Sequence, residues 1–248
     1  MKSTFIALVG TGLVSFQASS QIPLSKGTYT QNFDSLSSVT NHSWVNNETL
    51  PGWYVSRVGG EGAPNYKSYR VSDGSMENGW IYSFGSGTNR GVHPASDRAL
   101  GTICSGTPQR IAFGARFVND TSNVLAHFTV SYTGEQWRNG STEAPQKFVF
   151  SYRISAAPIT NSEVGVDIHW QRFPALNFVS PRTGLGMFAM DGNDPGNRTV
   201  FSRVPLTGVI LKPAEELFLR WTVIDIPRPA DGLAVDDVRL DFTAAAKE

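Results

Sequence analysis

The stretch HFTVSYTGEQWR, residues 127–138, and the stretch KFVFSYRI, residues 147–154, each alternate apolar with polar side chains at a period of two. That period constrains the chain more tightly than any other feature, because only an extended strand sends successive side chains to opposite faces. Phe128, Val130 and Tyr132 fall on one face of the first run, with Thr129, Ser131, Thr133, Glu135 and Trp137 on the other. In the second run Phe148, Phe150, Tyr152 and Ile154 share a face opposite Lys147, Ser151 and Arg153. Joined through NGSTEAP, the two runs predict a hairpin. One face is densely aromatic and the other carries Glu135, Trp137 and Arg153, unless a bulge at Gly134 breaks the alternation.

Short alternating runs separated by Gly, Pro, Asn and Ser clusters recur along the chain. They predict strands near 53–58, 79–84, 97–103, 110–118, 124–134, 146–155, 164–171, 199–204, 216–226 and 233–242. No window carries a helical stripe, and PAEE, Pro213 to Glu216, reads as one turn before a strand. A charged fraction of 17% beside 24 Gly and 14 Pro agrees with strands and turns rather than helices, and 40% hydrophobic residues suffice for a substantial core. No linker or repeat divides residues 21–248, so a single antiparallel all-β domain is expected.

The N-terminus reads as an export signal: Lys2, the apolar run TFIALVGTGLVSF, then QASSQ with small residues Ala18 and Ser20, giving a signal peptide over 1–20. The run is interrupted by Gly10, Thr11 and Gly12 and falls short of the roughly 20 apolar residues that span a bilayer. A secreted, extracellular protein without a membrane span is therefore expected. A formal net charge of zero offers no field for phosphate backbones, so nucleic acid is not an expected partner. Cys104 is the only cysteine; no intrachain disulfide can form, and its apolar context, ALGTICSG, predicts a buried thiol. Five Asn-X-Ser/Thr triplets, at Asn41, Asn47, Asn119, Asn139 and Asn197, are expected in surface loops.

Glu135, Gln136, Trp137 and Arg138 stand consecutively at the end of the first run. An indole stacks on the apolar face of a sugar ring while carboxylate, amide and guanidinium groups take its hydroxyls, so these four with Arg153 form the candidate ligand-binding set. The alternative is that Glu135 pairs with Arg138 or Arg153 and Trp137 covers the sheet edge. Glycoside cleavage requires two carboxylates about 5–9.5 Å apart. No second acid follows on that face of the strand, so catalysis would need Asp167 or His169 of GVDIHWQ beside Glu135. Trp53 and Trp221 read as core, whereas Trp44, Trp80, Tyr66 and Tyr69 lie beside polar loops and add candidate stacking surfaces. DGNDPGN, residues 191–197, offers oxygen ligands for calcium or the makings of ordinary turns. In DGLAVDDVRL, Ala234, Val238 and Leu240 alternate inward and Asp236 falls with them, so its carboxylate is expected to be paired, hydrogen-bonded or metal-bound.

The opening YTQNFDSL and the ending GLAVDDVRL resemble the first and last strands of secreted jelly-roll modules of the concanavalin-like, MAM-like and carbohydrate-binding type. More closely, LPGWYVSR, IYSFGSG, DRALGTI, VSYTGEQWRNG, LFLRW and GLAVDDV resemble a recurrent module of secreted bacterial proteins, found alone or ahead of cell-surface, sorting or endonuclease/exonuclease/phosphatase regions. The likeness extends over nearly all of residues 21–248. It implies an antiparallel β-sandwich of jelly-roll type, terminal strands side by side, and a structural calcium (Ca2+) near Asp34 and Asp236. It implies no activity, since jelly rolls host many functions. From the ending DFTAAAKE, a freely secreted or noncovalently retained protein is expected. The function expected is noncatalytic binding of a polysaccharide, cell-surface glycan or another cell-surface polymer. A polysaccharide-degrading hydrolase or lyase, and a structural matrix or adhesion protein, are the alternatives. The oligomeric state is not legible.

Overall fold

The computed structural model describes residues 21–87, 95–141, 143–224, 226 and 229–246; the expected signal peptide, residues 1–20, lies outside the described residues. Sixteen strands follow in chain order among them. They are β1 (Ile22–Pro23), β2 (Tyr29–Gln31), β3 (His42–Ser43), β4 (Trp53–Val58), β5 (Ser68–Ser72), β6 (Trp80–Phe84), β7 (Ala99–Ile103) and β8 (Arg110–Val118). The second half contributes β9 (Leu125–Gly140), β10 (Lys147–Ser155), β11 (Gln171–Arg172), β12 (Phe178–Val179), β13 (Met187–Ala189), β14 (Arg198–Pro205), β15 (Glu216–Ile224) and β16 (Gly232–Ala244). Helix is confined to three short 3-10 turns.

The strands form two sheets packed face to face, an antiparallel β-sandwich of jelly-roll type. The first sheet runs β4, β8, β15, β10, with β1 extending the β4 edge and β11 and β12 the β10 edge. The second runs β9, β16, β7, β6, β5, β3, with β13 and β14 lying along the outer edge of β9. Two pairings, β1 with β8 and β5 with β6, are parallel. β2 pairs with β16 through Gln31 opposite Val238 and Tyr29 opposite Leu240, so the strand that opens YTQNFDSL and the last strand are neighbours, while β1 pairs with β8 in the other sheet.

The aromatic face of each long strand turns into one shared core, and Trp221 of β15 stands at its centre. Trp53 and Phe113 stack on it with ring centroids 6.1 and 6.0 Å away, while Phe150 and Tyr132 meet it edge-on at 5.2 and 5.4 Å. Tyr132 comes from the second sheet and the other three from the first, so the indole joins both layers. Arg220, the preceding residue, alternates to the outer surface of the first sheet. There Tyr54, Ile159, Trp170 and Phe218 form a second, smaller buried cluster under the chain segment 156–177.

Several expectations are corrected. β9 and β10 do not form a hairpin: β9 pairs with β16 and β14, whereas β10 pairs with β15 in the other sheet. Both have an aromatic face, but the faces meet across the sandwich rather than side by side. No strand occupies 164–171 beyond the first residue of β11; Val166 and Ile168 are 43% and 84% exposed, so their alternation does not mark a core face. The register is continuous at Gly134, where Phe178 packs so closely that a β-carbon would overlap its ring. The irregularities flank it instead: Trp137 is an extra residue between Gln136 opposite Leu233 and Arg138 opposite Gly232, and a second shift separates Asp236 from Arg239. At that second shift Asp237 adopts φ of +49°. The bulge changes the phase of β16, so Leu233 and Val235 point inward before it and Val238 and Leu240 after it. Asp236, opposite Thr133, therefore faces outward rather than with the core residues.

Replacing Trp221 by Ala removes the ring shared by four aromatic neighbours, and a loss of about 3–5 kcal/mol is expected by analogy with other large core truncations. Urea unfolding measures it; a midpoint unchanged from wild type would show that the indole does not join the sheets.

Candidate functional site

The four consecutive candidates on β9 are nearly inaccessible: Glu135, Gln136, Trp137 and Arg138 are 1%, 0%, 1% and 3% exposed. What covers them is the 187–197 segment. Met190 donates its N–H to the Trp137 carbonyl, and Gly192 lies on the indole so closely that a β-carbon would overlap it. The segment is held as a turn: Asn193 N–H donates to Asp191 Oδ1, and Asn197 donates its side-chain amide to the Asp191 carbonyl. The expected open face is thus roofed, and Trp137 is a covered residue rather than a stacking platform. A small hollow of about 110 Å³ lies beside its edge, lined by Asp73, Ser86 and Asp191 among others.

Each of these side chains has a partner within the chain. Trp137 donates its indole N–H to Glu135 Oε2 at 2.8 Å, in place of the Arg138 or Arg153 pairing expected for Glu135. Gln136 turns to the other face, where its amide accepts from Arg182 N–H and donates to the Arg182 carbonyl. Arg138 donates to the Gly74 carbonyl and to Glu77 Oε1. Arg153 is not with them at all; on the outer surface of the first sheet it holds Glu163 through both carboxylate oxygens.

Asp167 is on that same outer surface, 2.9 Å from Arg220 and within 3.5 Å of Arg110 and Arg172. Burial pushes its carboxyl up, but the Arg220 hydrogen bond and the neighbouring guanidinium charges hold it below the usual carboxylate range. Glu135 lies outside the opposite sheet. The aromatic core separates the two carboxylates, and exposed His169 is on the Asp167 side, so neither catalytic pairing anticipated for Glu135 is formed.

Glu135 has instead an acidic neighbourhood on the second sheet. Burial pushes its carboxyl up to about 8, against the opposing indole hydrogen bond and with help from the charge of Asp97. Asp236, 5% exposed, is pushed up to about 10 by burial and by the charges of Glu135 and Asp237. Its Oδ1 accepts from the Asp237 N–H. Asp34 is exposed and uses both oxygens, Oδ1 on Arg98 N–H and Oδ2 on the Asn32 amide. Oxygen donors suit a hard cation, yet among the described residues no three His, Cys, Asp or Glu side chains are arranged to hold a metal ion.

The accessible chemistry lies elsewhere, at the end of the sandwich where loops 44–47 and 59–68 meet. A depression of about 470 Å³ has buried Trp44, Tyr54 and Tyr66 as its floor and Asn47, Asn65 and Asn161 among its walls. A second, of about 510 Å³, shares Asn65 and adds Arg57, Lys67 and Trp80. Asn47 accepts from Gly52 N–H and Asn161 from the Ser162 hydroxyl, but their amide NH2 groups, like the whole Asn65 side chain, have no hydrogen bond among the described residues. Asn46 is spent on structure, taking the Trp44 indole and bonding both backbone groups of Val55. Trp44 and Tyr69 are buried, unlike the expectation for them, while Trp80 is half-buried. The sequence signals for this region were its cluster of aromatics beside polar loops and the triplet at Asn47; Asn65 and Asn161 had none.

No protein-family model matches the chain, and no curated protein matches it. Among solved structures, the K2 cleaved adhesin domain of Lys-gingipain is similar at 12% identity over 89% of this chain and 99% of that one, with a TM-score of 0.40. The family 11 carbohydrate-binding module from Clostridium thermocellum, in complex with a β-1,3-1,4-mixed-linked tetrasaccharide, is similar at 9% identity over 86% and 100%, with a TM-score of 0.30. The enzymatically active domain of bacteriophage CBA120 tailspike protein 4 is similar at 12% identity over 81% of this chain, TM-score 0.35, but this chain covers only 21% of the tailspike's length. At these identities and scores the likeness bears on neither ligand nor chemistry.

The raised carboxyls fix a pH dependence. Glu135 and Asp236 have ordinary values of 4.5 and 3.8 and are raised in the folded protein, so the unfolded chain releases their protons first. Their favourable contribution is full below about pH 4 and is lost as pH rises through about 8 and then 10. With chelator present, Asp236→Asn is expected to leave the melting temperature unchanged near pH 4 and to raise it by several degrees at pH 9. A uniform fall at both pH values would show that Asp236 is not protonated in the folded state.

Proposed function

We propose that the protein is a secreted, noncatalytic glycan-binding module whose ligand lies across the two depressions joined at Asn65. The observation that carries the reading is the set of unpartnered amides on Asn47, Asn65 and Asn161 above an aromatic floor. An amide offers a donor pair and an acceptor, which match adjacent sugar hydroxyls, and concave sites with a few placed polar groups on an apolar base are the usual form of ligand sites. Among the described residues Glu61 is the only carboxylate lining the two depressions, which does not supply the pair that glycoside hydrolysis requires. The apolar run after Lys2 and the small residues Ala18 and Ser20 support export.

The test is affinity electrophoresis through a panel of polysaccharides, with reducing-sugar release followed in the same mixtures. Retardation is expected, and the Asn65→Ala, Asn161→Ala double variant is expected to weaken it about tenfold, as loss of two hydrogen bonds of about 0.5–1.5 kcal/mol each implies. Sugar release would overturn the noncatalytic assignment, and retardation by none of the polymers would favour a structural matrix role.

A structural calcium with Asp34 and Asp236 as ligands belongs to the same proposal. Support for it is the mutual repulsion among Asp236, Asp237 and Asp97, which a divalent cation would relieve. Calcium is then expected to raise the wild-type melting temperature above its value in chelator, by roughly 2–4 °C for each kcal/mol of binding. The Asp236→Asn variant should not respond, and identical wild-type melts in calcium and chelator would remove the ion.

A further inference from the structure

Arg57, near the end of β4, is 6% exposed, yet among the described residues it has no carboxylate partner. Its Nη2 donates to the Glu61 carbonyl and its Nε has no hydrogen-bond partner. The guanidinium rests over two rings, 4.6 Å from the centre of Tyr66 and 5.0 Å from that of Trp80. Of the four other buried arginines among the described residues, Arg116, Arg138 and Arg220 are paired with Glu216, Glu77 and Asp167, while Arg98 donates to Ser83, Ser86 and Ala95 and is supported by the nearby charges of Asp97, Asp34 and Asp73. A buried cation compensated only by a carbonyl and aromatic faces leaves an uncancelled positive potential.

That potential opens onto the second depression. Arg57 lines it beside exposed Lys67, and the Arg70 guanidinium lies 4.8 Å from the Trp80 ring centre. Neither Lys67 nor Arg70 forms a salt bridge with any described residue, and Glu61 is the only acid among the lining residues. Glycines hold the 59–62 loop over the arginine: Gly60 and Gly62 have φ of +89° and +78°, and a β-carbon on Gly60 would stand 3.2 Å from Arg57 Nη1. Two guanidiniums thus lie over one indole, with Lys67 lining the same depression, next to a depression walled by neutral amides.

We propose that this depression takes the carboxylate of a uronic acid, so that the ligand is an acidic polysaccharide whose neighbouring hydroxylated ring occupies the amide-walled depression. The inference rests on the glycan-binding reading above and adds the charge of the ligand. A carboxylate fits because guanidinium and ammonium donors hold it through short charge-assisted bonds, while the ring that carries it packs against Trp80.

The experiment is titration calorimetry of the full protein with polygalacturonate fragments and with the same fragments after carboxyl reduction, which removes the charge and keeps the rings. Binding is expected to fall about tenfold on reduction and to weaken with added salt. Lys67→Ala, on the exposed rim, should lower affinity for the acidic fragments about threefold to tenfold and lower affinity for the reduced ones less. Arg57→Lys, checked for folding by near-ultraviolet circular dichroism, should do the same. Equal affinity for both fragment types, or variants that weaken both alike, would overturn the acidic-ligand inference while the glycan reading stands. Binding of other neutral polymers with none of either fragment would have the same meaning, and binding of no polymer would overturn both.

Discussion

The packing of Trp221 between the two sheets is the contact from which the rest of the architecture follows. Its indole is stacked by Trp53 and Phe113 of its own sheet and met edge-on by Tyr132 of the other, so the inner faces are committed to aromatic contact along their length. Once those faces are fixed, alternation forces the remaining side chains of the same strands outward. On β15 these are Glu216, Phe218 and Arg220; on β9 and β16 they include Glu135, Trp137 and Asp236. Many are too large or too apolar to be left in water, and both outer surfaces are accordingly covered.

The two covers are built differently. Over the first sheet, segment 156–177 brings Ile159 and Trp170 onto Tyr54 and Phe218 and is tied down by charge: Arg220 holds Asp167 and lies 3.8 Å from the Trp170 ring centre, and Arg153 holds Glu163. Over the second sheet, segment 187–197 uses backbone and glycine contact with Trp137 and leaves the carboxyls beneath it without a guanidinium within salt-bridge distance. This difference explains why Asp167 is held low while Glu135 and Asp236 are driven up. Asp167 is a partly exposed acid that the covering segment brings onto Arg220 of the sheet, whereas Glu135 and Asp236 are buried acids of the sheet itself with no ion pair among the described residues.

The period-two pattern made most long strands legible, including β4, β8, β10 and β15, because each presents one continuous apolar face. It could not reveal which sheet a strand joins, since Phe128 to Tyr132 and Phe148 to Tyr152 carry the same pattern whether they pair or face each other across a core. Nor could it reveal the change of phase at Asp237, where one residue in a left-handed conformation turns Asp236 outward. Asn119, Asn139 and Asn197, three of the five Asn-X-Ser/Thr asparagines expected on the surface, are buried: Asn119 bonds the carbonyls of Asn123 and Leu211 and accepts from Thr121 of its own triplet, whereas Asn139 and Asn197 bond the Gly184, Gly186 and Asp191 carbonyls of later loops. The GEQWR cluster was visible as chemistry, but the roof over it is contributed some fifty residues later and leaves no mark on the strand.

Among the described residues, buried polar atoms without a partner are spread through the sandwich, Trp221 Nε1, Asn139 Oδ1 and Asp231 Oδ2 among them, but at the rim between β4, β5 and β6 they border open depressions. There the asparagine amides remain open and Arg57 is buried without a carboxylate. An arginine in that position is not needed to close the core, because an apolar side chain of similar volume would pack on Tyr66 and Trp80 without the desolvation cost of a charge. Its presence is therefore best explained by what it faces. Arg116, Arg138 and Arg220 are each matched to an acid of the same chain and Arg98 lies amid the charges of Asp97, Asp34 and Asp73, so the proposed acidic ligand is what would supply the counter-charge to Arg57.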